Sequence, residues 1–360
     1  MSRTRRPHHG RAVSRSQRLA PTAPEGDTAV ALGPTLNIAQ VILGIAILYW
    51  GAEWLIRGSA SVARAFGVKP LVIGLTVVAY GASAPELAIA TKTALTGHQP
   101  IALGTVIGSC AANISLILGL TALVSPPTID SRVIRREVPI LLGSAIAVPL
   151  LLRDGILSKL EGAILIGCAI VFTIVTLTVS ARIDPDDDEL ELEGQRADES
   201  GAVIGGRARP RASRGAASLM TAVGILLLVA GSDLFVRGGR GLAGTVGMSE
   251  RMLGLTVISL GCALPELIAS MIAARRGHAA LAIGSVIGSN LLNVFLVLGI
   301  TAYLQPITFG DRMHTVELIG LVAITLLGVL VLRSDRRISR AEGVLLIAAY
   351  VAFIVLSGLL

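Results

Sequence analysis

The sequence predicts an all-α integral membrane protein with ten transmembrane helices in two inverted five-helix repeats. Of its 360 residues, 53% are hydrophobic and only 15% are charged, whereas a soluble domain carries roughly 25% charged residues. The apolar residues lie in runs close to the length of about 20 residues that a helix needs to cross a bilayer. Residues 74–124 align without gaps on residues 254–304 with 23 identities in 51 positions, which indicates an internal duplication.

The predicted organisation has four parts, two of which are the repeats. Residues 34–180 form the first repeat and residues 216–360 the second. Residues 1–33 lack the apolar core and cleavage site of a signal peptide and are predicted to be a disordered basic tail. Residues 181–215 form a hydrophilic loop that begins acidic and ends basic. The predicted spans are 36–56, 70–95, 101–124, 134–152, 159–180, 216–236, 251–274, 281–304, 314–332 and 341–358.

The odd number of spans in each repeat predicts the topology. After five spans the second repeat must enter the membrane from the opposite side, as in many secondary transporters with inverted repeats. Lys and Arg are more frequent in the loops that follow odd-numbered spans. The positive-inside rule therefore predicts a cytoplasmic 181–215 loop, both termini outside, and a multi-pass protein of the cytoplasmic membrane. The basic N-terminal tail favours the opposite orientation.

Two glutamates at equivalent positions carry the functional argument. Glu86 and Glu266 lie near the centres of the second and seventh spans, with apolar residues on both sides. A carboxylate at the bilayer centre costs on the order of 2.5–3.5 kcal/mol even on lenient insertion scales, and such residues mark ion or proton pathways by default. A structural carboxylic acid is the alternative for one glutamate alone, but a matched pair favours an ion site.

Each of these glutamates directly follows a proline. Pro85 and Pro265 cannot donate a backbone hydrogen bond, and each ring clashes with the carbonyl four residues back. Those carbonyls belong to Gly81 and Gly261, so we expect broken helices with freed carbonyl oxygens beside each carboxylate. Irregular backbone at membrane depth is tolerated where it is buried in protein or lines a cavity. Carbonyl and carboxylate oxygens together suit a hard cation.

The third and eighth spans supply further oxygens. Two serine–asparagine pairs, each spaced four residues apart on one helix face, are Ser109 with Asn113 and Ser289 with Asn293. Small residues can be explained by helix packing alone, but asparagine is too bulky for that role. With Ser83 and the glutamates they offer more than the roughly 6–8 oxygens that Ca²⁺ takes. Two carboxylates balance one divalent cation, and a site that holds monovalent ions or protons in its place is an exchanger in outline.

The remaining charged pairs have simpler explanations. Local ion pairs at a spacing of four residues are predicted for Glu53 with Arg57 and for Asp233 with Arg237. Glu137 and Glu317 recur with the same offset of 180 residues at the beginnings of two spans. They are candidates for guarding an access path to the site.

Neither the cysteines nor the histidines predict a metal centre. Cys110, Cys168 and Cys262 lie inside apolar runs, which favours small core residues over a disulfide framework. His98 and His278 follow glycines in short turns, where a turn role is favoured over metal binding. Aromatic residues make up only 3% of the chain, and no basic motif indicates nucleic-acid binding. We expect no cofactor, and the predicted partners are the lipid bilayer and inorganic cations; the oligomeric state is left open.

The motifs around these residues resemble those of the calcium/cation antiporter superfamily, specifically of sodium/calcium exchanger-like membrane proteins. The resemblance covers all ten spans and is most specific in 74–124 and 251–304. The segments that carry it are Gly81-Ala82-Ser83-Ala84-Pro85-Glu86, Gly261-Cys262-Ala263-Leu264-Pro265-Glu266, Gly108-Ser109-Cys110-Ala111-Ala112-Asn113 and Gly288-Ser289-Asn290-Leu291-Leu292-Asn293.

The resemblance implies ten helices, a central four-helix site and alternating access by sliding of the first and sixth helices. It implies that Glu86 and Glu266 are the main Ca²⁺ ligands. It further implies hydroxyl ligands from Ser83, Ser109 and Ser289, and backbone carbonyl ligands from Ala79 and Ser259. The family often has Thr or Ser at the positions of Ala82, Cys262 and Ala263, and Asp at the position of Asn293.

The sequence therefore predicts a secondary cation antiporter that exchanges Ca²⁺ for Na⁺. Because the missing hydroxyls weaken Na⁺ coordination, Ca²⁺/H⁺ exchange is the first alternative. A channel or a non-transporting relative belongs to a different class and is also left open. An intramembrane enzyme is disfavoured, since the chain contains no His-Glu zinc motif and no serine–base constellation.

Overall fold

A computed structural model of the chain describes residues 33–127, 129, 131–179, 214–245, 247–308, 314–334 and 337–359. The predicted N-terminal tail and nearly all of the hydrophilic 181–215 loop lie outside the described residues.

Ten helical segments follow one another along the described chain. In the first repeat they are α1 (Pro34–Phe66), α2 (70–95), α3 (Gln99–Val124), α4 (Ser131–Leu151) and α5 (Lys159–Val179). In the second repeat they are α6 (Arg214–Thr245), α7 (250–275), α8 (Ala279–Leu304), α9 (His314–Ser334) and α10 (Arg340–Leu359). Two short strands, β1 (Ile156–Leu157) and β2 (Ile307–Thr308), pair antiparallel between the repeats.

Four of these segments contain a single wider, π-helical turn. These turns are Gly74–Val78 in α2, Ala112–Ile117 in α3, Gly254–Ile258 in α7 and Asn293–Leu298 in α8. The segment α2 is further divided into Pro70–Ile73, Ala79–Ala82 and Ala84–Leu95, and α7 into Glu250–Leu253 and Ser259–Arg275. The four helices with wide turns are the two equivalent pairs that carry the predicted site residues.

Most of the helices have the length and composition of membrane spans. Among the described residues, 8 helices pass this test, and the bent α2 makes 9 when its two halves count as one span. The segment α4 is a helix of 21 residues, but Arg135, Arg136 and Glu137 in its first turns keep it outside that set. The membrane class is thus confirmed, while the count of ten crossings stays a prediction. The helices α1 and α6 have 33 and 32 residues and extend beyond their predicted spans.

The contact between α1 and α6 shows that the repeats are inverted. A Cβ placed on Gly44 would lie 2.9 Å from the carbonyl oxygen of Gly231, and one on Gly51 would lie 3.1 Å from that of Gly224. Contacts therefore run in opposite directions along the two helices. Because α1 and α6 are equivalent in the duplication, their antiparallel packing confirms the inverted five-helix repeats predicted from the odd span number.

The helices α3 and α8 form the centre of the bundle. In each, 94% of the apolar window is buried, against 28% in α1, α5 and α10. Glycines let the central helices approach closely: a Cβ on Gly74 would lie 2.6 Å from the Leu281 carbonyl oxygen, and one on Gly254 would lie 2.9 Å from that of Ile101. These two contacts are equivalent, so α2 packs on α8 as α7 packs on α3.

Several structural expectations can be compared directly with the contacts. The two local ion pairs are confirmed, with 2.8 Å between Arg237 Nε and Asp233 Oδ2. Gly97 and Gly277 have φ values of 85° and 78°. The N–H groups of His98 and His278 close the helix ends by donating to the carbonyls of Thr93 and Ala273, each at 2.8 Å. The turn role of the histidines is therefore confirmed.

The predictions for the cysteines and for the second pair of glutamates have different outcomes. Cys110 and Cys262 are buried, as predicted, but Cys168 is exposed. The core prediction for Cys168 is wrong because an apolar run in a membrane helix includes the outward face as well as the packed one. Glu137 and Glu317 are both buried, and their role on an access path stays a prediction.

Candidate cation site

Glu86 in α2 and Glu266 in α7 are the centre of the site. Both residues are 0% exposed, and none of their four carboxylate oxygens has a hydrogen-bond partner in the protein. The two carboxylates are close enough for their charges to interact. A buried charge without a partner is strongly destabilising, so this arrangement indicates a position prepared for a positive ion.

The helix α2 is interrupted immediately before Glu86. Leu71–Ala82 and Ala84–Leu95 meet at an angle of 41°, and Ser83 between them has φ −81° and ψ 0°. Pro85 falls in the first turn of the outgoing helix, where its missing N–H removes no intrahelical bond. The break sets Glu86 in the first turn of a new helix.

The equivalent helix in the second repeat is continuous. Ser259–Arg275 runs through Pro265 without interruption, so the break expected at Gly261 and Pro265 is absent. The physical reason lies on α6, where the Ser232 hydroxyl donates a hydrogen bond of 3.1 Å to the Gly261 carbonyl that the proline leaves without its usual donor. Ala263 also stands where the first repeat has its hinge residue, Ser83.

The glycines beside the prolines serve packing. A Cβ on Gly81 would lie 2.6 Å from Cγ1 of Ile225, and one on Gly261 would lie 2.6 Å from Cδ1 of Phe235. Both glycines thus permit close contact with α6. Gly261 does not loosen its helix, because the helix continues through Pro265. The expected interruption after the glycine occurs only in the first repeat, where a helical segment ends at Ala82.

The predicted asparagines lie in the wide turns of α3 and α8, which pack against α7 and α2, the helices of the two glutamates. Asn113 lies in the wide turn of α3, and Asn293 begins the wide turn of α8. Both are fully buried, and neither their amide oxygens nor their amide nitrogens have a partner. Wide helical turns are frequent at functional sites, because an extra residue per turn redirects the side chains that follow.

Hydroxyl groups from both repeats converge on Glu266. Ser83 of α2 and Ser289 of α8 lie against its carboxylate, although neither hydroxyl closes a hydrogen bond of normal geometry. Cys262 lies near both glutamates, and the thiol of Cys110 lies against Asn293. The site is therefore assembled from all four central helices and both repeats.

The other predicted ligands are present but already have protein partners. Ser109 donates a long hydrogen bond of 3.4 Å to the carbonyl oxygen of Ser259, so these two expected ligands contact each other. The Ser259 hydroxyl donates to the carbonyl of Leu255. The carbonyl of Ala79 accepts the N–H of Ser83 at 2.9 Å. These groups would have to exchange a protein partner for a cation.

Glycines fix the distance between the facing walls. A Cβ on Gly108 would lie 2.6 Å from the Ser259 hydroxyl oxygen, and one on Gly288 would lie 2.8 Å from the Cβ of Ala79. The two contacts are equivalent under the duplication. They bring α3 against α7 and α8 against α2 at the level of the predicted carbonyl ligands.

The number of unpartnered polar atoms separates this site from an ordinary core. Glu86, Glu266, Asn113 and Asn293 contribute two such atoms each, and Ser83 and Ser289 one each, which makes ten. An unsatisfied buried polar group costs about 1–3 kcal/mol, and more when it is charged. Eight of these atoms are oxygens, and oxygen ligands from carboxylates, amides and hydroxyls suit Ca²⁺ or another hard cation.

The sequence did not single out two buried serines of the helical bundle, Ser232 and Ser285. Ser232 has no counterpart in the first repeat, where Ala52 stands at the equivalent position, so comparison of the repeats could not single it out. Ser285 on α8 is buried with an unpartnered hydroxyl, and its equivalent Thr105 instead bonds to the Ile101 carbonyl at 2.7 Å. A small polar residue in an apolar span was the sole signal for either.

Comparison with known proteins gives a consistent result. The family profile described as sodium/calcium exchanger protein matches residues 36–178 and 216–359. A putative antiporter CaxA from Alkalimonas amylolytica is 35% identical over 317 residues, covering 87% of this chain and 96% of that protein. Sodium/calcium exchanger MaX1 from Methanosarcina acetivorans is 29% identical over 349 residues, covering 89% and 98%.

A solved structure has the same architecture. The sodium-calcium exchanger NCX_Mj, soaked with 2.5 mM Na⁺ and 0.1 mM Ca²⁺, superposes with a TM-score of 0.73 at 28% sequence identity. The match covers 89% of this chain and 98% of that chain. The similarity therefore extends over both repeats.

Proposed function

The chain belongs to the sodium/calcium exchanger protein family, a family of membrane cation antiporters, and from this premise we propose that it exchanges Ca²⁺ for Na⁺ across the cytoplasmic membrane. The single observation that supports the proposal best is the pair of buried, unpartnered carboxylates of Glu86 and Glu266. They come from equivalent positions of two inverted repeats and meet in one site.

Charge balance supports a divalent ion on one side of the cycle. One Ca²⁺ neutralises both carboxylates, and Asn113, Asn293 and the Ser83 hydroxyl supply neutral oxygens to complete its shell of roughly 6–8 ligands. When Ca²⁺ leaves, the two carboxylates repel each other at short range. Two monovalent cations relieve that repulsion equally well, so the site returns with monovalent ions bound and each turnover exchanges one divalent ion for them.

The inverted repeats support alternating access. In transporters of this architecture, one part of the protein rocks or slides against the other around a fixed midplane site. The two repeats of this chain contribute equivalent walls to the site, so a movement that opens one side is matched by an equivalent movement that opens the other. The carboxylates would face each compartment in turn and remain occupied during the change.

Proton coupling is a second candidate that one observation favours. Ala82, Ala263 and Cys262 lie around the two glutamates and provide no hydroxyl. Na⁺ needs several neutral oxygens, whereas a proton needs only a carboxylate oxygen. If those missing hydroxyls decide the coupling, the same site exchanges Ca²⁺ for H⁺.

Ion flux in proteoliposomes tests both candidates. Purified protein is reconstituted, the vesicles are loaded with Na⁺ or given a pH gradient, and ⁴⁵Ca²⁺ uptake is followed. We expect uptake driven by the Na⁺ gradient; uptake driven only by the pH gradient would favour proton coupling, and no uptake with either gradient would refute Ca²⁺ exchange.

Two glutamine variants test the site itself. Glu86→Gln and Glu266→Gln should abolish Ca²⁺ uptake while the protein still inserts and purifies normally. Glu161→Gln is the matched control, because Glu161 caps the start of α5 through Ser158 and lies outside the site. Normal flux in either site variant would contradict the assignment of the carboxylates.

A further inference from the structure

The helices α1 and α6 form one rigid pair. Their four facing glycines leave no room for side chains between the backbones, as the contacts of Gly44 with Gly231 and of Gly51 with Gly224 show. A Cβ on Gly58 would likewise lie 2.6 Å from the backbone nitrogen of Thr221. At this separation one helix cannot slide past the other without backbone collision. The pair must therefore move as a unit against the remaining helices.

An ion pair ties α1 to the far end of α7. The carboxylate of Glu53 on α1 is bridged by Arg57 of the same helix and by Arg276, the residue that ends α7. The Glu53 side chain is 8% exposed and that of Arg276 is 34% exposed, so the carboxylate of the bridge is shielded from the solvent that weakens surface ion pairs, while the guanidinium is partly exposed.

A hydrogen bond ties α6 to the middle of the same helix. The Ser232 hydroxyl donates to the Gly261 carbonyl at 3.1 Å, and Ser232 is fully buried. Both members of the rigid pair are thus bound to α7 of the second repeat by polar contacts. We call the Glu53–Arg276 ion pair the α7 latch; the Ser232–Gly261 hydrogen bond is a second contact, at the middle of α7.

The equivalent positions of the first repeat carry no such contacts. Asp233, the counterpart of Glu53, is 55% exposed and pairs with Arg237 on its own helix. Thr96 stands at the position of Arg276, and its hydroxyl donates to the Lys92 carbonyl of its own helix at 3.0 Å. Ala52 stands at the position of Ser232 and has no polar group. The rigid pair is therefore latched to α7 and not, at these positions, to α2.

The latch lies on one side of the membrane. The helix α6 begins after the 181–215 loop, so its N-terminus lies on that side; α1 is antiparallel to it and ends there. The helix α7 follows α6 and returns to the same side, where Arg276 is located. The exposed Asp233 lies toward the opposite side. The Glu53–Arg276 ion pair thus joins α1 to α7 on the side of the 181–215 loop, while the equivalent residues on the other side, Asp233 and Thr96, bond only within their own helices.

We propose that the α7 latch holds the rigid α1–α6 pair in one of the two access states, the one that is closed on the side of the 181–215 loop. In an inverted repeat the two access states exchange the roles of the two halves. A contact that only one half can make therefore stabilises one state alone. This inference rests on the proposed exchange, although it does not depend on which monovalent ion is coupled.

The test uses variants that copy one repeat into the other. Arg276→Thr and Ser232→Ala give the second repeat the residues of the first, and Thr96→Arg with Ala52→Ser gives the first repeat those of the second. The protein is reconstituted in sealed vesicles of known orientation. The KM for Ca²⁺ is then measured twice, with Ca²⁺ added first to one face of the membrane and then to the other. Because the apparent affinity scales with the fraction of the competent state, the KM values at the two faces should move in opposite directions.

We expect Arg276→Thr to lower the KM at the face of the 181–215 loop and to raise it at the other face, each by roughly fivefold, the lower end of typical coupling strengths. Thr96→Arg with Ala52→Ser, which builds the equivalent contact on the opposite side and so favours the state open toward the 181–215 loop, should shift each value in the same direction as Arg276→Thr does. Arg276→Lys should restore the wild-type values, and Asp233→Asn, which breaks only an exposed local pair, should leave them unchanged. Equal changes at both faces, or none, would overturn the latch.

Failure of the proposed exchange would be recognised separately. If the wild-type protein carries no Ca²⁺, amide hydrogen exchange of residues 273–281 in purified protein still tests the latch, since Arg276→Thr should speed exchange there several-fold. Unchanged exchange in that segment would overturn the proposal without reference to transport.

Discussion

Replacing Glu266 by glutamine should separate the stability of the protein from its affinity for Ca²⁺. Both carboxylate oxygens of Glu266 are buried and have no partner in the protein. The substitution keeps the size of the side chain and removes its charge. Because glutamine keeps the contacts with Ser83 and Ser289 and removes a buried charge, cation-free Glu266→Gln should be at least as stable as the wild type.

The loss of Ca²⁺ affinity should be large. Removing one member of a buried charge pair costs about 3–5 kcal/mol, and every 1.4 kcal/mol or so is a factor of ten in Kd. We therefore expect Kd for Ca²⁺ to rise by at least about a hundredfold. A saturating ligand stabilises a protein by about 2.7 kcal/mol at one hundred times Kd, and the variant should lose nearly all of that gain.

Thermal unfolding in detergent, with and without Ca²⁺, measures both quantities. The matched control Glu161→Gln should show the reverse pattern: a small loss of stability without Ca²⁺, about 1 kcal/mol for a weakened helix cap, and an unchanged gain with Ca²⁺. The reasoning would be refuted if Glu266→Gln lost several kcal/mol without Ca²⁺, or if it kept the stabilisation by Ca²⁺.

Three further predictions follow from the site. Ser83→Ala should raise Kd for Ca²⁺ about fivefold, since one contact of the strength of a hydrogen bond contributes about 1 kcal/mol. Adding Ala263→Ser should recover part of the lost affinity. Titration calorimetry measures both Kd values and would show no change for Ser83→Ala if Ser83 is not a ligand. Gly288→Ala should destabilise the protein by about 1–3 kcal/mol through overpacking, since its Cβ would lie 2.8 Å from that of Ala79; thermal unfolding should show little effect for Gly143→Ala, which has open space. With two carboxylates, exchange of one Ca²⁺ for two monovalent ions should be electroneutral, and a transport current across vesicles on solid supports would contradict this.

The duplication made most of the architecture predictable. A fixed offset of 180 residues and five spans per repeat indicate an inverted topology, and in the structure Glu86 and Glu266 lie close enough for their charges to interact. The paired motifs also identified Asn113 and Asn293, whose buried amides have no partner in the protein. Comparing the two halves of this chain serves the purpose of a small alignment, because residues that both repeats share can be recognised from the single sequence.

The same comparison cannot identify an important residue that occurs in only one of the two repeats. Pro265 was expected to break its helix because Pro85 stands at the equivalent position, yet Ser232 satisfies the orphaned Gly261 carbonyl and the helix continues. The decisive residue lies about 30 positions away on another helix. A proline changes the local chain, but the outcome depends on tertiary partners that local patterns do not contain.

Shared and unshared residues therefore have different consequences for transport. Residues that both halves share build a site that is equally suited to both access states. If every contact were shared, the two states would differ in energy only through the membrane and the ion gradients. Each unshared contact of about 1 kcal/mol shifts the ratio of the states roughly fivefold. The Glu53–Arg276 pair and the Ser232–Gly261 bond are two such contacts, so we expect the resting state of the protein to be set by residues that differ between its two halves.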